Sequence, residues 1–220
     1  LTLRKNTDME TQSITEILNK EFIAQAINYN QYLSLLNELF EAGKTTGDDH
    51  SEAMLNYAKM NLQRMNRLNK TIALTEELKA AIHQFDDANK MTWIVITEGW
   101  CGDAAQNIPL LNKIAEESKQ INLKLILRDE NLSIMDQFLT NGGRSIPKMI
   151  VLDSESLDLI GTWGPRPEVA QNMVKEFKKI PDGNYPEFQK ELQLWYAKDK
   201  TLSQQTEFIS LLKAWNSSNN

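Results

Sequence analysis

The sequence predicts an α/β fold in which one mixed β-sheet is flanked by helices. Between residues 71 and 179, apolar runs of strand length alternate with segments in which apolar residues recur every three or four positions, the helical period. Such alternation favours parallel strands joined by right-handed crossovers. The last two runs are separated only by the polar residues 153–156, a spacing typical of an antiparallel hairpin. The sheet is therefore expected to be mixed.

The first 70 residues are predicted to form a helical hairpin. Ser13 and Glu16 have the spacing of a capping box, and Gly43 is expected to end the helix that they begin. A second helix is predicted to begin near Ser51. The apolar stripes of the two helices consist of Phe22, Ala26, Tyr29, Leu33, Leu36 and Phe40, and of Met54, Tyr57, Met65 and Leu68. We interpret both stripes as core that packs on the next domain, with a partner-binding or dimer surface as the alternative.

The central region is predicted to follow the element order βαβαβαββα. The strands are expected at 71–74, around 93–96, at 122–127, at 148–152 and at 157–163. The helices are expected after the N-cap Thr75, from the residue after Cys101 to about 118, over 132–139, and from Pro167 onwards. These elements use the whole stretch from 71 to 179 without an internal repeat.

Two more helices are predicted after the turn at 180–183. Their apolar faces consist of Phe188, Leu192, Trp195 and Tyr196, and of Phe208, Ile209, Leu211 and Leu212. We expect both helices to pack on the N-terminal hairpin. The chain is thus predicted to comprise a helical extension over 1–70, an α/β domain over 71–180 and a second helical extension over 181–220.

Composition excludes several classes of function. The net charge of −6 argues against sequence-independent nucleic-acid binding, which depends on clustered Lys and Arg side chains that contact phosphates. No apolar run approaches the roughly 20 residues needed to span a bilayer, so no membrane partner is expected. The chain has one cysteine, and a free thiol persists most easily in a reducing compartment. We therefore expect a cytoplasmic protein, and the N-terminus has no signal-peptide pattern.

The one cysteine, Cys101, lies where a predicted strand passes into a helix. The first turn of a helix has unpaired backbone N–H groups and a partial positive charge, which stabilise a thiolate. The carboxylate of Asp103 acts against the thiolate, while the ammonium of Lys148 would favour it if it reached the sulfur. The net expectation is a modest lowering of the pKa of Cys101.

Two motifs together resemble the thioredoxin family. Trp100-Cys101-Gly102, with Pro109 eight residues after the cysteine, is similar to the redox-active turn of that family, and residues 142–148, GGRSIPK, are similar to its cis-proline loop. The resemblance implies a thioredoxin fold from about 71 to 179, a cis bond between Ile146 and Pro147, and packing of that loop against Cys101.

The sequence departs from the family pattern at two positions. Ala104 occupies the position of the resolving cysteine of a C-x-x-C pair, so turnover by an internal dithiol is not expected. The buried acid that the family places six residues before the first cysteine is Val95 here, which leaves Glu98 as the remaining candidate for a proton relay. The resemblance therefore implies a protein with a single reactive thiol.

The leading functional hypothesis is thiol chemistry at Cys101 with an external partner. The partner would be a protein or a low-molecular-weight thiol or disulfide, and the product a mixed disulfide or a sulfenic acid that an external thiol reduces. The resemblance assigns substrate binding to Trp100, Gly102, Asp103, Ile146 and Pro147, with Lys148 and Glu98 as modulators of the thiolate. An enzyme with this chemistry would be a thiol-disulfide oxidoreductase of the monothiol type, and the sequence leaves this open.

Two other hypotheses remain open on the sequence. The chain is alternatively a non-catalytic peptide- or protein-binding module that kept the fold and lost its redox chemistry at Ala104. The third possibility is a dimer through the helical extension in which two Cys101 thiols face each other. No cofactor and no metal are expected, because His50 and His83 are the only histidines and the run Asp48-Asp49-His50 is interpreted as a solvated loop.

Overall fold

The computed structural model describes residues 17–85 and 89–218. The helices are α1 (Lys20–Gln25), α2 (Tyr29–Glu41), α3 (Glu52–Thr71), α4 (Glu76–Ile82), α5 (Gly102–Glu117), α6 (Leu132–Met135), α7 (Glu168–Phe177), α8 (Tyr185–Asp199) and α9 (Leu202–Ser218). The strands are β1 (Met91–Thr97), β2 (Ile121–Leu127), β3 (Lys148–Asp153) and β4 (Leu159–Trp163).

The four strands form one mixed sheet in the order β2-β1-β3-β4. Strand β1 pairs in parallel with β2, from Met91 opposite Ile121 onwards, and antiparallel with β3 on its other side. Strands β3 and β4 form the predicted antiparallel hairpin. Every residue of β1 is buried, as expected for a central strand with cover on both faces. The mixed sheet flanked by helices, with further helices at both ends of the chain, confirms the predicted fold class.

The strand predicted at 71–74 is wrong. Helix α3 continues to Thr71, and the backbone that follows has a side chain as its hydrogen-bond partner instead of a strand. The amide of Gln205 donates to the carbonyl of Ala73 at 3.2 Å and accepts from the N–H of Thr75 at 2.8 Å. Because these backbone groups already have hydrogen-bond partners, the segment does not have to join the sheet to satisfy them. The sequence pattern around 71–74 contained no sign of this distant glutamine.

The outer edge of β2 is covered by a residue from the N-terminal region. Ile27 and Leu125 exchange two backbone hydrogen bonds, with N···O distances of 3.2 and 2.7 Å. Forming this bridge requires extended backbone, so the single helix predicted up to Gly43 is interrupted and forms α1 and α2. Asn28 then caps α2 in a capping box with Gln31. The capping box predicted at Ser13 and Glu16 lies outside the described residues.

The predicted starts of three other helices, near Ser51, at Thr75 and at Pro167, are confirmed. The hydroxyl of Ser51 accepts from the N–H of Met54, and that of Thr75 from the N–H of Leu78. Pro167 is the N-cap of α7. The helix predicted over 132–139 forms only the single turn of α6.

The main core joins the sheet to the N-terminal hairpin, so most of the two predicted stripes is core, whereas Tyr57 is 37% exposed. Tyr32 and Met65 are each 1% exposed in this cluster. From the other end of the chain, Phe208 and Trp215 of α9 pack on Trp93 of β1, with ring centroids 5.6 and 6.0 Å apart. The sheet is therefore held by helices from both extensions.

The C-terminal helices do not both pack on the hairpin as expected. Helix α9 lies against α4 and β4, while α8 packs on α7 in a second, smaller cluster that includes Phe188, Leu192 and Tyr196. Helix α8 meets the hairpin through its polar side, where the hydroxyl of Tyr57 donates to Gln189 at 3.4 Å. The domain boundaries at 70 and 180 stay a prediction. Within the described ranges, no helix has both the length and the apolar character to cross a membrane.

Candidate functional site

Cys101 lies between the first turn of α5 and the loop that contains Pro147. As N-cap of α5, its sulfur accepts a hydrogen bond from the N–H of Ala104 at 3.4 Å. Its S–H donates to the carbonyl of Ile146 at 3.3 Å, and the Ile146–Pro147 peptide bond is cis. The structure thus brings together the two motifs, which are 45 residues apart in the chain.

The thiol is buried and held in its protonated form. Cys101 is 8% exposed, and burial raises the pKa of its thiol from 9.0 to about 12, with the charge of Asp103 as the next cause. The N–H groups at the start of α5 and the charge of Arg166 lower this pKa, but they do not offset the loss of water around the sulfur. The expected modest lowering of the pKa is therefore wrong.

A segment after β4 covers the cis-proline loop. Gly164 has a φ of +108°, and a Cβ at this position would collide with the carbonyl of Pro147, so only glycine permits this close approach. Two residues later, the guanidinium of Arg166 forms an ion pair with the carboxylate of Asp103, at 2.6 Å. Residues 164–166, here called the cover loop, therefore connect the proline loop to the first turn of α5.

Helix α8 completes the cover over the start of α5. The hydroxyl of Tyr196 donates to Asp103 at 2.9 Å and accepts from the side-chain amide of Asn107 at 3.1 Å. One turn earlier on α8, Gln193 accepts from Gln106 at 2.8 Å. Burial raises the pKa of Asp103 above its ordinary value, while the charge of Arg166 and the Tyr196 hydroxyl act against that rise. Asp103 is thus fixed by groups of the protein itself.

The other predicted substrate-binding residues lie at the edge of this cover. Trp100 is half-buried, and the guanidinium of Arg128 lies 4.8 Å from the centre of its ring, a cation–π contact. A Cβ at Gly102 would be 3.2 Å from the side-chain nitrogen of Gln193 and 3.4 Å from Arg64, so α8 and α3 approach its backbone closely. Trp100 and Gly102 are therefore the half-buried members of the predicted set, whereas Asp103, Ile146 and Pro147 are buried.

The two predicted thiolate modulators have other surroundings. One carboxylate oxygen of Glu98 accepts from the backbone N–H of Asp129 at 2.9 Å, and burial raises the pKa of Glu98. Lys148 is 9% exposed, and burial lowers its pKa. The charges that shift the pKa of Cys101 are those of Asp103 and Arg166. A role for Glu98 or Lys148 stays a prediction.

Sequence reasoning missed Arg166 and Tyr196. The spacing of Tyr196 with Phe188 and Leu192 predicts an apolar helix face, which is correct for its ring but does not predict the use of its hydroxyl. Arg166 stands between two prolines, a context that gives no indication of an ionic partner 63 positions earlier in the chain. Neither contact has a local pattern, so neither could have been found without the fold.

Comparison with known proteins places the chain in a family. The family described as thioredoxin matches residues 47–178, more than half of the chain. No curated protein matched the chain.

Two solved structures have a similar fold. A protein of unknown function from Pseudomonas aeruginosa is 18% identical with a TM-score of 0.53, and an HIV epitope-scaffold is 18% identical with a TM-score of 0.51. Each match covers 80% of this chain and 96% of the other. At this identity the two structures support the fold alone. Together with the sheet topology, the match over 47–178 leads to one conclusion: the chain belongs to the thioredoxin family.

Proposed function

We propose that the protein forms mixed disulfides through Cys101 with an external thiol or disulfide partner, and that it does so from an opened form. The observation that supports this most is the position of the sulfur. It caps α5, accepts from the N–H of Ala104 and touches the carbonyl of Ile146 beside the cis-proline. A thiolate at this position receives backbone N–H stabilisation from the helix start.

The chemistry follows from the presence of a single thiol. The Cys101 thiolate attacks one sulfur of a disulfide, the S–S bond breaks, and the other half leaves as a thiolate that takes up a proton from water. Because Ala104 provides no second thiol, a further external thiol must attack the mixed disulfide to release Cys101 as thiol. The net reaction is an exchange: one external thiol enters the disulfide, one half of the original disulfide leaves as a thiol, and Cys101 is regenerated.

The closed arrangement gates this reaction. A disulfide has to replace the contact between Cys101 and the carbonyl of Ile146, and α8 and the cover loop both hold Asp103, two residues after the thiol. Opening breaks the hydrogen bonds from Tyr196 to Asp103 and from Gln106 to Gln193. The thiol is thus unreactive towards disulfides until α8 moves.

Removing one hydroxyl of the cover tests this gating. In Tyr196→Phe the ring and its packing remain, but Asp103 loses a hydrogen bond to a charged group, worth about 1.5–3 kcal/mol. We expect Cys101 to react with oxidised glutathione about tenfold faster than in the unchanged protein, since 1.4 kcal/mol corresponds to about a factor of 10. Mass spectrometry of the intact chain over time gives the rate.

The matched control is Tyr185→Phe, also on α8, where the side chain is 56% exposed. This variant is expected to react at the unchanged rate. Circular dichroism during heating checks that both variants are folded at the temperature of the reaction. Equal rates in the two folded variants would contradict gating by α8, and a Cys101 that reacts only after denaturation of every variant would falsify the proposed thiol chemistry.

The burial of the sulfur favours a second candidate, a non-catalytic binding module with a thioredoxin fold. A thiol whose pKa is about 12 behaves as a small apolar group at neutral pH. In this case the half-buried Trp100 with Arg128 would provide the contact surface, in the manner of aromatic and arginine side chains at protein interfaces. Partner capture that is unchanged in Cys101→Ser and lost in Trp100→Ala favours this candidate. Capture that needs Cys101 and is released by a reductant favours mixed-disulfide formation.

A further inference from the structure

A cavity of about 550 Å³ lies between α1, α2, the loop 44–50 and the carboxyl end of β2. This volume is within the range of small-molecule sites, roughly 300–1,000 Å³. Residues that line it include Phe22, Leu35 and Leu39 from the helices and Leu125 from the strand. Cys101 and the cover loop do not line it, so the cavity is separate from the thiol site.

One polar group in this wall is buried without a partner. Thr45 is 3% exposed, and its hydroxyl makes no hydrogen bond to any group in the part of the chain that the structure describes. Leaving a buried hydroxyl unpaired costs about 1–3 kcal/mol, so such groups are rare in folded proteins. A ligand that accepts a hydrogen bond from Thr45 would remove this cost.

Two more hydrogen-bond donors line the cavity on the same loop. The backbone N–H of Thr45 donates to Nδ1 of His50 at 3.4 Å, which leaves Nε2 as the ring nitrogen that carries a donor N–H. Lys44 contributes an ammonium at an exposed position. The residues of this loop that line the cavity therefore include a hydroxyl, an imidazole and an ammonium group, and the exposed Glu130 lines it as well.

Hydrogen bonds within the protein fix both ends of this loop. The hydroxyl of Thr46 accepts from the backbone N–H of Gly99 at 2.8 Å, and Thr46 is 3% exposed. Asp49 accepts from the N–H of Ser51 at 2.9 Å at the other end of the loop. A pocket whose polar wall is already fixed loses little entropy when it binds.

We infer that this cavity binds a small monocarboxylic acid with an apolar body, its carboxylate at Thr45, His50 and Lys44 and its hydrocarbon part against Phe22, Leu39 and Leu125. The chemistry of the two walls carries the inference: donors and a positive charge on the loop, and aliphatic or aromatic side chains on the helices and β2. The inference goes beyond the proposed thiol function and does not depend on Cys101.

Calorimetric titration of the full chain with octanoate, octanol and octylamine tests the assignment. Octanoate is expected to bind at one site and at least fivefold more tightly than octanol or octylamine. Thr45→Val, which keeps the shape of the side chain and removes the hydroxyl, is expected to weaken octanoate binding by about five- to tenfold, the effect of about one hydrogen bond. Lys44→Met is expected to weaken octanoate but not octanol.

Two further variants distinguish a loss of binding from a loss of folding. Thr206→Val on the exposed surface of α9 is the matched control and is expected to bind octanoate unchanged. Leu39→Trp fills the cavity and is expected to abolish binding, with its fold checked by circular dichroism. Absence of octanoate binding, unchanged affinity in folded Thr45→Val or Leu39→Trp, or tighter binding of octylamine than of octanoate would each overturn the inference.

Discussion

Replacing Arg166 with leucine is expected to destabilise the folded chain by about 3–5 kcal/mol, the cost of leaving a buried charge without its partner. The side chains of Arg166 and Asp103 are only 18% and 11% exposed, and their charged groups are 2.6 Å apart. In Arg166→Leu the carboxylate keeps the Tyr196 hydroxyl but loses the opposite charge. Urea denaturation of both chains at pH 7 measures the difference in the free energy of unfolding.

A double variant separates the charge from the packing. Asp103→Asn combined with Arg166→Leu removes both charges, so it is expected to recover most of the stability that Arg166→Leu alone loses. A loss below about 1 kcal/mol in Arg166→Leu would show that the pair is solvated like a surface ion pair.

The pH dependence of Arg166→Leu gives an independent check. Without Arg166, which lowers the pKa of Asp103, the pKa of this carboxyl in the folded chain rises further. A group whose pKa is raised by folding keeps its proton up to a higher pH in the folded chain than in the unfolded one. The free energy of unfolding of Arg166→Leu therefore falls as the pH rises through the pKa of Asp103. The loss of stability relative to the unchanged protein is expected to be smaller at pH 4 than at pH 7.

The sheet could be predicted from the sequence because its signals are local. The apolar run of β1 and the short polar connection between β3 and β4 lie within a few residues of the elements they specify. The strand predicted at 71–74 failed because its backbone partner, Gln205, is about 130 residues away. The interruption near Ile27 has the same origin, since its cause is a bridge to Leu125 in β2.

The candidate site also has features that the sequence predicts and features that depend on the tertiary structure. The motifs around Cys101 and Pro147 predicted that both lie in one place, and in the structure the S–H of Cys101 donates to Ile146. The pKa of the thiol could not be predicted, because it depends on burial, and no local pattern shows which elements pack around Cys101. Local sequence therefore indicated which atoms meet, whereas the tertiary structure decides whether they react.

The reactivity of Cys101 is expected to rise about tenfold for each unit of pH between pH 7 and pH 10, without a plateau. Only the thiolate attacks a disulfide, and its fraction increases tenfold per unit as long as the pH is below the pKa of the thiol. With a pKa of about 12 instead of 9.0, the folded chain holds about a thousandfold less thiolate at pH 7 than an exposed thiol does.

The same slope is expected if the reaction proceeds through the opened form. Closing requires the protonated thiol, whose S–H donates to Ile146, so a rise in pH shifts the population towards the open thiolate. The rate of modification by a disulfide reagent, measured at constant ionic strength from pH 7 to pH 10, gives the slope. The urea-unfolded chain is the control and is expected to level off near pH 9.

A plateau below pH 9 in the folded chain would mean that the thiolate is already stabilised, in contradiction to the burial of the sulfur. Tyr196→Phe distinguishes the two routes in the same experiment. If the thiol reacts through the opened form, Tyr196→Phe raises the rate of modification by about tenfold at every pH and leaves the slope against pH unchanged. The reason is that this substitution changes the population of the open form and not the pKa of the thiol in it. If the thiol reacts within the closed form, Tyr196→Phe changes the rate of modification only to the extent that it alters the pKa of Cys101.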